Sequence, residues 1–101
     1  MDIQELTVRM HDLVRSKGWY AEDSKRPQTQ RNLAISLALE TAEILEHFQW
    51  REEVKDKQEL TSELADVALY LLELASIMEI DLERAILKKL EINKTREWDQ
   101  E

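Results

Sequence analysis

The chain has no cysteine, one glycine, one proline and two histidines in 101 residues. Without cysteine there is no disulfide framework and no thiolate metal site, which fits a cytoplasmic protein. So little glycine and proline removes the punctuation that hairpins and strand-rich folds need. The abundant Leu, Glu, Ala, Lys, Gln and Arg then point to an all-α protein. No run of about 18 uncharged apolar residues is present to span a bilayer, and the opening MDIQELTVRMHD lacks the basic-then-apolar order of a secretory signal. Basic residues are in the minority: 14 Lys and Arg against 22 Asp and Glu leave a net charge of −8. Such a field opposes nucleic acid and anionic membrane surfaces. The expected partner is a cation, or an anion carried in by cations. A chain of this length holds one core, so residues 1–101 read as a single domain.

What is present is helical periodicity. A first helix is expected from Ile3 to Lys17, with Ile3, Leu6, Met10, Leu13 and Val14 on one face and Gly18 as its stop. A polar loop, GWYAEDSKRPQTQ, follows. The second helix is expected to begin near Thr29 or Arg31 and to continue through Trp50, its stripe of Leu33, Leu37, Ile44 and Phe48 widened by Ile35, Leu39 and Ala42. After the charge run REEVKDKQE, a third helix should run from Lys57 or Leu60 to Met78, apolar on most sides around Leu64, Val67, Leu71 and Leu74. Asp81 is placed to N-cap a fourth helix ending near Asn93, with Leu82, Ala85, Ile86 and Leu90 inside. Four such helices suggest a four-helix bundle. Two of them are too apolar for one small monomer, which suggests a homo-oligomer, a dimer or a tetramer.

Acidic residues interrupt the two most apolar helices. Glu40 and Glu43 are three apart and share a helix face, as do Glu63 and Asp66. Glutamates at this spacing are common on solvated faces. Here no basic residue lies between Leu33 and Leu45 to pair with them, and charges are rarely buried unpaired. If the two helices are antiparallel neighbours, four carboxylates converge and repel one another unless protons or hard cations neutralise them. Oxygen-only ligands favour Mg²⁺ or Mn²⁺. Of the remaining acids, Glu73 is better placed than Glu46 to point inward, and His47, four after Glu43, reads as a satisfied surface histidine in preference to a partner standing behind a metal ligand.

ETAE followed by ELAD resembles the Glu-x-x-Glu and Glu-x-x-Asp signature of the MazG-like all-α nucleoside triphosphate pyrophosphohydrolases, a superfamily that includes the dimeric dUTPases. RNLAISLALETAEILEHFQW, SELADVALYL and DLERAILKKLEIN are similar in order and spacing to core segments of the dCTP pyrophosphatase branch. The resemblance implies the four-helix bundle of that superfamily, and hydrolysis of a (deoxy)nucleoside triphosphate to monophosphate and pyrophosphate. It also implies Mg²⁺ held by Glu40, Glu43, Glu63 and Asp66. By position, His11, Trp19 and Trp50 fall on residues lining the nucleoside pocket, and Tyr70, Lys89 and Asn93 on further substrate contacts. Two departures stand out: Leu39 occupies a position where many longer members carry a second glutamate, and the loop between Trp19 and Arg31 is longer than in the dCTP enzymes.

The expected chemistry is metal-assisted attack of water on the triphosphate, with Glu43 taking the proton and Glu63 as the second catalytic carboxylate. Lys89 supplies a point charge to phosphate. The indoles of Trp19 and Trp50 frame a pocket mouth and stack on the base, whereas Trp98 is expected to be a packing anchor. An alternative is a non-catalytic helical oligomerisation or regulatory module that keeps the fold, against which the intact acidic and aromatic positions speak. A di-iron oxidase is a third reading, but it needs a Glu-x-x-His motif on two helices, and His11 and His47 do not supply it.

Overall fold

The computed structural model describes residues 1–97, in which there are four helices and no strand. They are α1 (Ile3–Ser16), α2 (Gln30–Glu46), α3 (Lys57–Ile77) and α4 (Leu82–Thr95). Every one has a side-chain N-cap: Asp2, Thr29, Asp56 and Asp81 each accept a backbone N–H three residues on, at 2.9 to 3.1 Å.

The helix ends follow local chemistry. α1 closes in a Schellman motif in which Gly18, at φ +73°, donates to the Arg15 carbonyl and Trp19 to that of Val14. α3 closes in the same way, with Glu79 at φ +58° in the position glycine usually fills. The end of α2 departs from expectation. Its apolar period continues to Trp50, but His47 caps the helix and the chain runs on through turns to Trp50 at φ +72°, a strained value for a bulky residue.

α2 and α3 are antiparallel: His47, after the end of α2, meets Glu63 near the start of α3, while Leu33 and Ser36 share a cavity wall with Tyr70. α1 lies across the later half of α3, where His11 meets Ser76. The core where these three helices meet is small, with Met10, Val14, Leu33, Leu72 and Ala75 buried. α4 rests mainly on α3 and has no buried residue. The all-round burial expected for α2 and α3 is not met within one chain, where Leu39 is 63% and Leu45 71% exposed. No helix among the described residues is long and apolar enough to cross a membrane.

Candidate functional site

The antiparallel pairing of α2 and α3 brings the acidic residues together. Burial pushes the Glu40 carboxyl above the usual carboxylate range. The negative charges of Glu43 and Asp66, a Glu43 carboxyl close enough to share a proton, and the charge of Glu63 push it further. Oε2 of Glu40 is buried and has no hydrogen-bond partner among the described residues. An unsatisfied buried carboxylate oxygen facing three more acidic groups is a costly arrangement, and a hard cation removes both the missing partner and the repulsion. Carboxylate oxygens suit a hard divalent cation, although among the described residues no three of Glu40, Glu43, Glu63 and Asp66 bring ligand atoms within 4.8 Å of one another.

Two further residues join this cluster: His47, which the sequence reading favoured as a surface histidine, and Glu59, which it did not mark. His47 is largely buried, not a surface residue, and its Nε2 lies 2.5 Å from Oε2 of Glu63. Glu59, one turn before Glu63, completes a trio with them whose ligand atoms lie within 4.8 Å of one another. The available signal was the four-residue spacing that puts His47 on the face of Glu43 and Glu59 on that of Glu63. A shallow cavity of about 370 Å³ opens over the trio, with Arg51 and Lys55 on its wall.

A second cavity, of about 200 Å³, has Trp19, Tyr70, Glu73 and Asp66 among its lining residues, so Asp66 joins the acidic cluster to an aromatic pocket. Arg26 contributes a guanidinium 5.7 Å over the Trp19 ring, and Gln28 lies beside it. His11 stands outside this lining: Nδ1 is 2.5 Å from the Tyr20 hydroxyl and Nε2 is 2.7 Å from Ser76 Oγ. Tyr20 in turn donates to Oε2 of Glu73 at 3.2 Å, and Glu73 is only 3% exposed. Glu46 is exposed, so Glu73 is the acid that points inward.

The other expected contacts are not gathered within one chain. Trp50 is 92% exposed and lines neither cavity, so it does not frame one mouth with Trp19. Lys89 is exposed on α4. Asn93 is half-buried on the same helix, its Oδ1 buried without a hydrogen-bond partner among the described residues. Trp98 lies outside the described residues.

The described helices thus form an all-α protein in which an acidic cluster on α2 and α3 shares Asp66 with an aromatic-lined cavity. The sequence pattern of the MazG-like family matches residues 35–101, and the chain belongs to that family. It is 36% identical over 75 residues to rat dCTP pyrophosphatase 1, an alignment covering 65% of this chain and 44% of the rat protein. The human dCTP pyrophosphatase 1 gives the same identity and the same coverage. The chain thus matches less than half the length of these curated relatives. A pyrophosphatase from Archaeoglobus fulgidus DSM 4304, known from its crystal structure, is 34% identical, with a TM-score of 0.76 and coverage of 90% of this chain and 87% of its own.

Proposed function

We propose that the protein hydrolyses a (deoxy)nucleoside triphosphate, dCTP or a related dNTP, to the monophosphate and pyrophosphate in a Mg²⁺-dependent reaction, in the cytoplasm. The observation that carries this reading is the buried, partnerless Glu40 oxygen within a cluster of carboxylates that shares Asp66 with an aromatic cavity. In this reading Glu40, Glu43, Glu63 and Asp66 would hold the metal. Bound Mg²⁺ would neutralise the charge of the phosphates and stabilise the charge developing at the scissile phosphorus.

The protein's own groups do the rest. Glu43, exposed on the cluster, takes the proton of the attacking water. His47 holds the Glu63 carboxylate in one orientation, and Arg51 and Lys55 offset phosphate charge over the shallow cavity. Trp19 and Tyr70 line the pocket where the nucleoside is held. Incubation with Mg²⁺ and a dNTP is expected to release dNMP and pyrophosphate, resolved by chromatography. Release of dNDP and orthophosphate would overturn the assignment.

The proposed active form is a homodimer or homotetramer. The chain exposes 8620 Å², whereas a folded monomer of its mass exposes about 6,000 Å². Its radius of gyration is 16.4 Å, against about 13 Å for a compact chain of this length. A second copy is the natural cover for the open faces of α2, α3 and α4, and for Asn93 and Trp50. Light scattering is expected to give two or four times the chain mass, and a stable monomer at micromolar concentration would contradict it.

A further inference from the structure

Glu73 lies seven positions after Asp66 on α3 and lines the aromatic cavity with Trp19 and Tyr70. Only Oε2 is engaged, by Tyr20 at 3.2 Å; among the described residues no hydrogen bond reaches Oε1. Glu73 thus brings to the cavity wall a carboxylate oxygen with no hydrogen bond from the described residues, and cavity walls are where such an acceptor meets a ligand.

The carboxylate is also firmly held. Tyr20 gives its one proton to Glu73, so Nδ1–H of His11 donates to the Tyr20 oxygen and Nε2 accepts from the Ser76 hydroxyl. This requires a neutral imidazole, and burial followed by the nearby Arg15 charge lowers the His11 pKa, outweighing Asp12. Burial pushes the Glu73 carboxyl up, and the Tyr20 hydrogen bond opposes that by favouring the charged acceptor. On the same wall, the Gln28 side-chain amide donates to the Arg26 carbonyl at 2.6 Å, which leaves its own carbonyl as a second acceptor.

We propose that Glu73 sets base specificity: its Oε1 accepts a hydrogen bond from the exocyclic amino group of a base stacked on Trp19, so that cytosine is taken and uracil and thymine are turned away. A pyrimidine with a carbonyl at that position would place oxygen against oxygen, with no proton between them. The inference rests on the pyrophosphohydrolase reading. Within it, His11, Tyr20 and Ser76 are positioning residues that fix the carboxylate.

The test measures pyrophosphate release from dCTP, dUTP, dTTP and the deoxyribosyl triphosphate of pyrimidin-2-one, which is cytosine without its amino group. Wild-type protein is expected to favour dCTP over the amino-free analogue by about 10-fold or more in kcat/KM, mostly through KM. In Glu73→Gln the new amide can still accept from Tyr20 and turn its NH₂ towards a base carbonyl, so the dCTP-to-dUTP ratio should fall by about 10-fold or more. Equal use of dCTP and the amino-free analogue by wild-type protein overturns the proposal, whether or not the variant folds. So does an unchanged ratio in a variant with wild-type melting behaviour. If no nucleotide releases pyrophosphate, the catalytic reading fails; if all turn over without preference, only the role of Glu73 does.

Discussion

Replacing Glu43 or Asp66 with alanine is expected to lower kcat/KM for nucleotide hydrolysis by about 100-fold or more while barely changing the melting temperature. A 100-fold loss is about 2.7 kcal/mol of transition-state stabilisation, a modest share for one of the four proposed oxygen donors to a catalytic metal. Both side chains are exposed, so truncation opens no cavity. Each is also a like charge that pushes the Glu40 carboxyl up, so its removal relieves the metal-free protein. Steady-state kinetics with a calorimetric melt separates the two effects. Near-normal turnover in both variants would remove the proposed site, and equal losses of activity and stability would make these residues structural.

The second large effect is on stability. Glu40 has a raised folded-state pKa, so well below the ordinary carboxylate value it is protonated in both states and exerts no penalty. As pH rises through the unfolded value towards the folded one, the unfolded chain releases its proton first and folding loses free energy. The penalty is complete above the folded value. A cation that binds only the folded state reverses it, adding about 2.7 kcal/mol at a hundredfold excess over Kd. For a chain of this size that is a rise in Tm of order 10 °C. Thermal melts near neutral pH should therefore show Mg²⁺ or Mn²⁺ raising the midpoint over EDTA, with the rise shrinking as pH falls towards about 4. In a Glu40→Gln, Glu43→Gln double variant the metal effect should vanish and the EDTA midpoint should increase. The same metal-induced rise in variant and wild type would show that these glutamates are not the ligands.

The fold class and four helices were legible because Asp81, Gly18 and the helical spacing of Met10 and Val14 act locally. The end of α2 was not, because Phe48 and Trp50 continue the apolar period while the chain is already turning, and periodicity records side chains and not chain direction. The proximity of Glu40, Glu43, Glu63 and Asp66 was legible for a negative reason: the stretch around Glu40 offers no basic partner. His47 could be placed beside Glu43 by its four-residue spacing, but its pairing with Glu63 could not, because Glu63 is 16 positions away on another helix. The Ser76, His11, Tyr20 and Glu73 chain escaped for the same cause, since its longest link spans 65 positions. Trp50, Lys89 and Asn93 differ again: the sequence marks them, but one chain does not bring them to the cavities.

The open side of α4 has a consequence for how the chain unfolds. A helix of 14 residues is near the length at which isolated helices are marginal in water. Its own chain offers it the Asp81 cap and a limited seat on α3, leaving Leu87 and Leu90 more than half exposed. In the proposed homo-oligomer, the wound state of such a segment would be inseparable from protomer concentration. Amide protons in α4 would then exchange at a rate set by how often that assembly comes apart, while those around Leu33 and Leu72 would report the opening of the three-helix core. Dilution of that oligomer would therefore loosen the chain from α4 inwards, whereas heat would act on the whole.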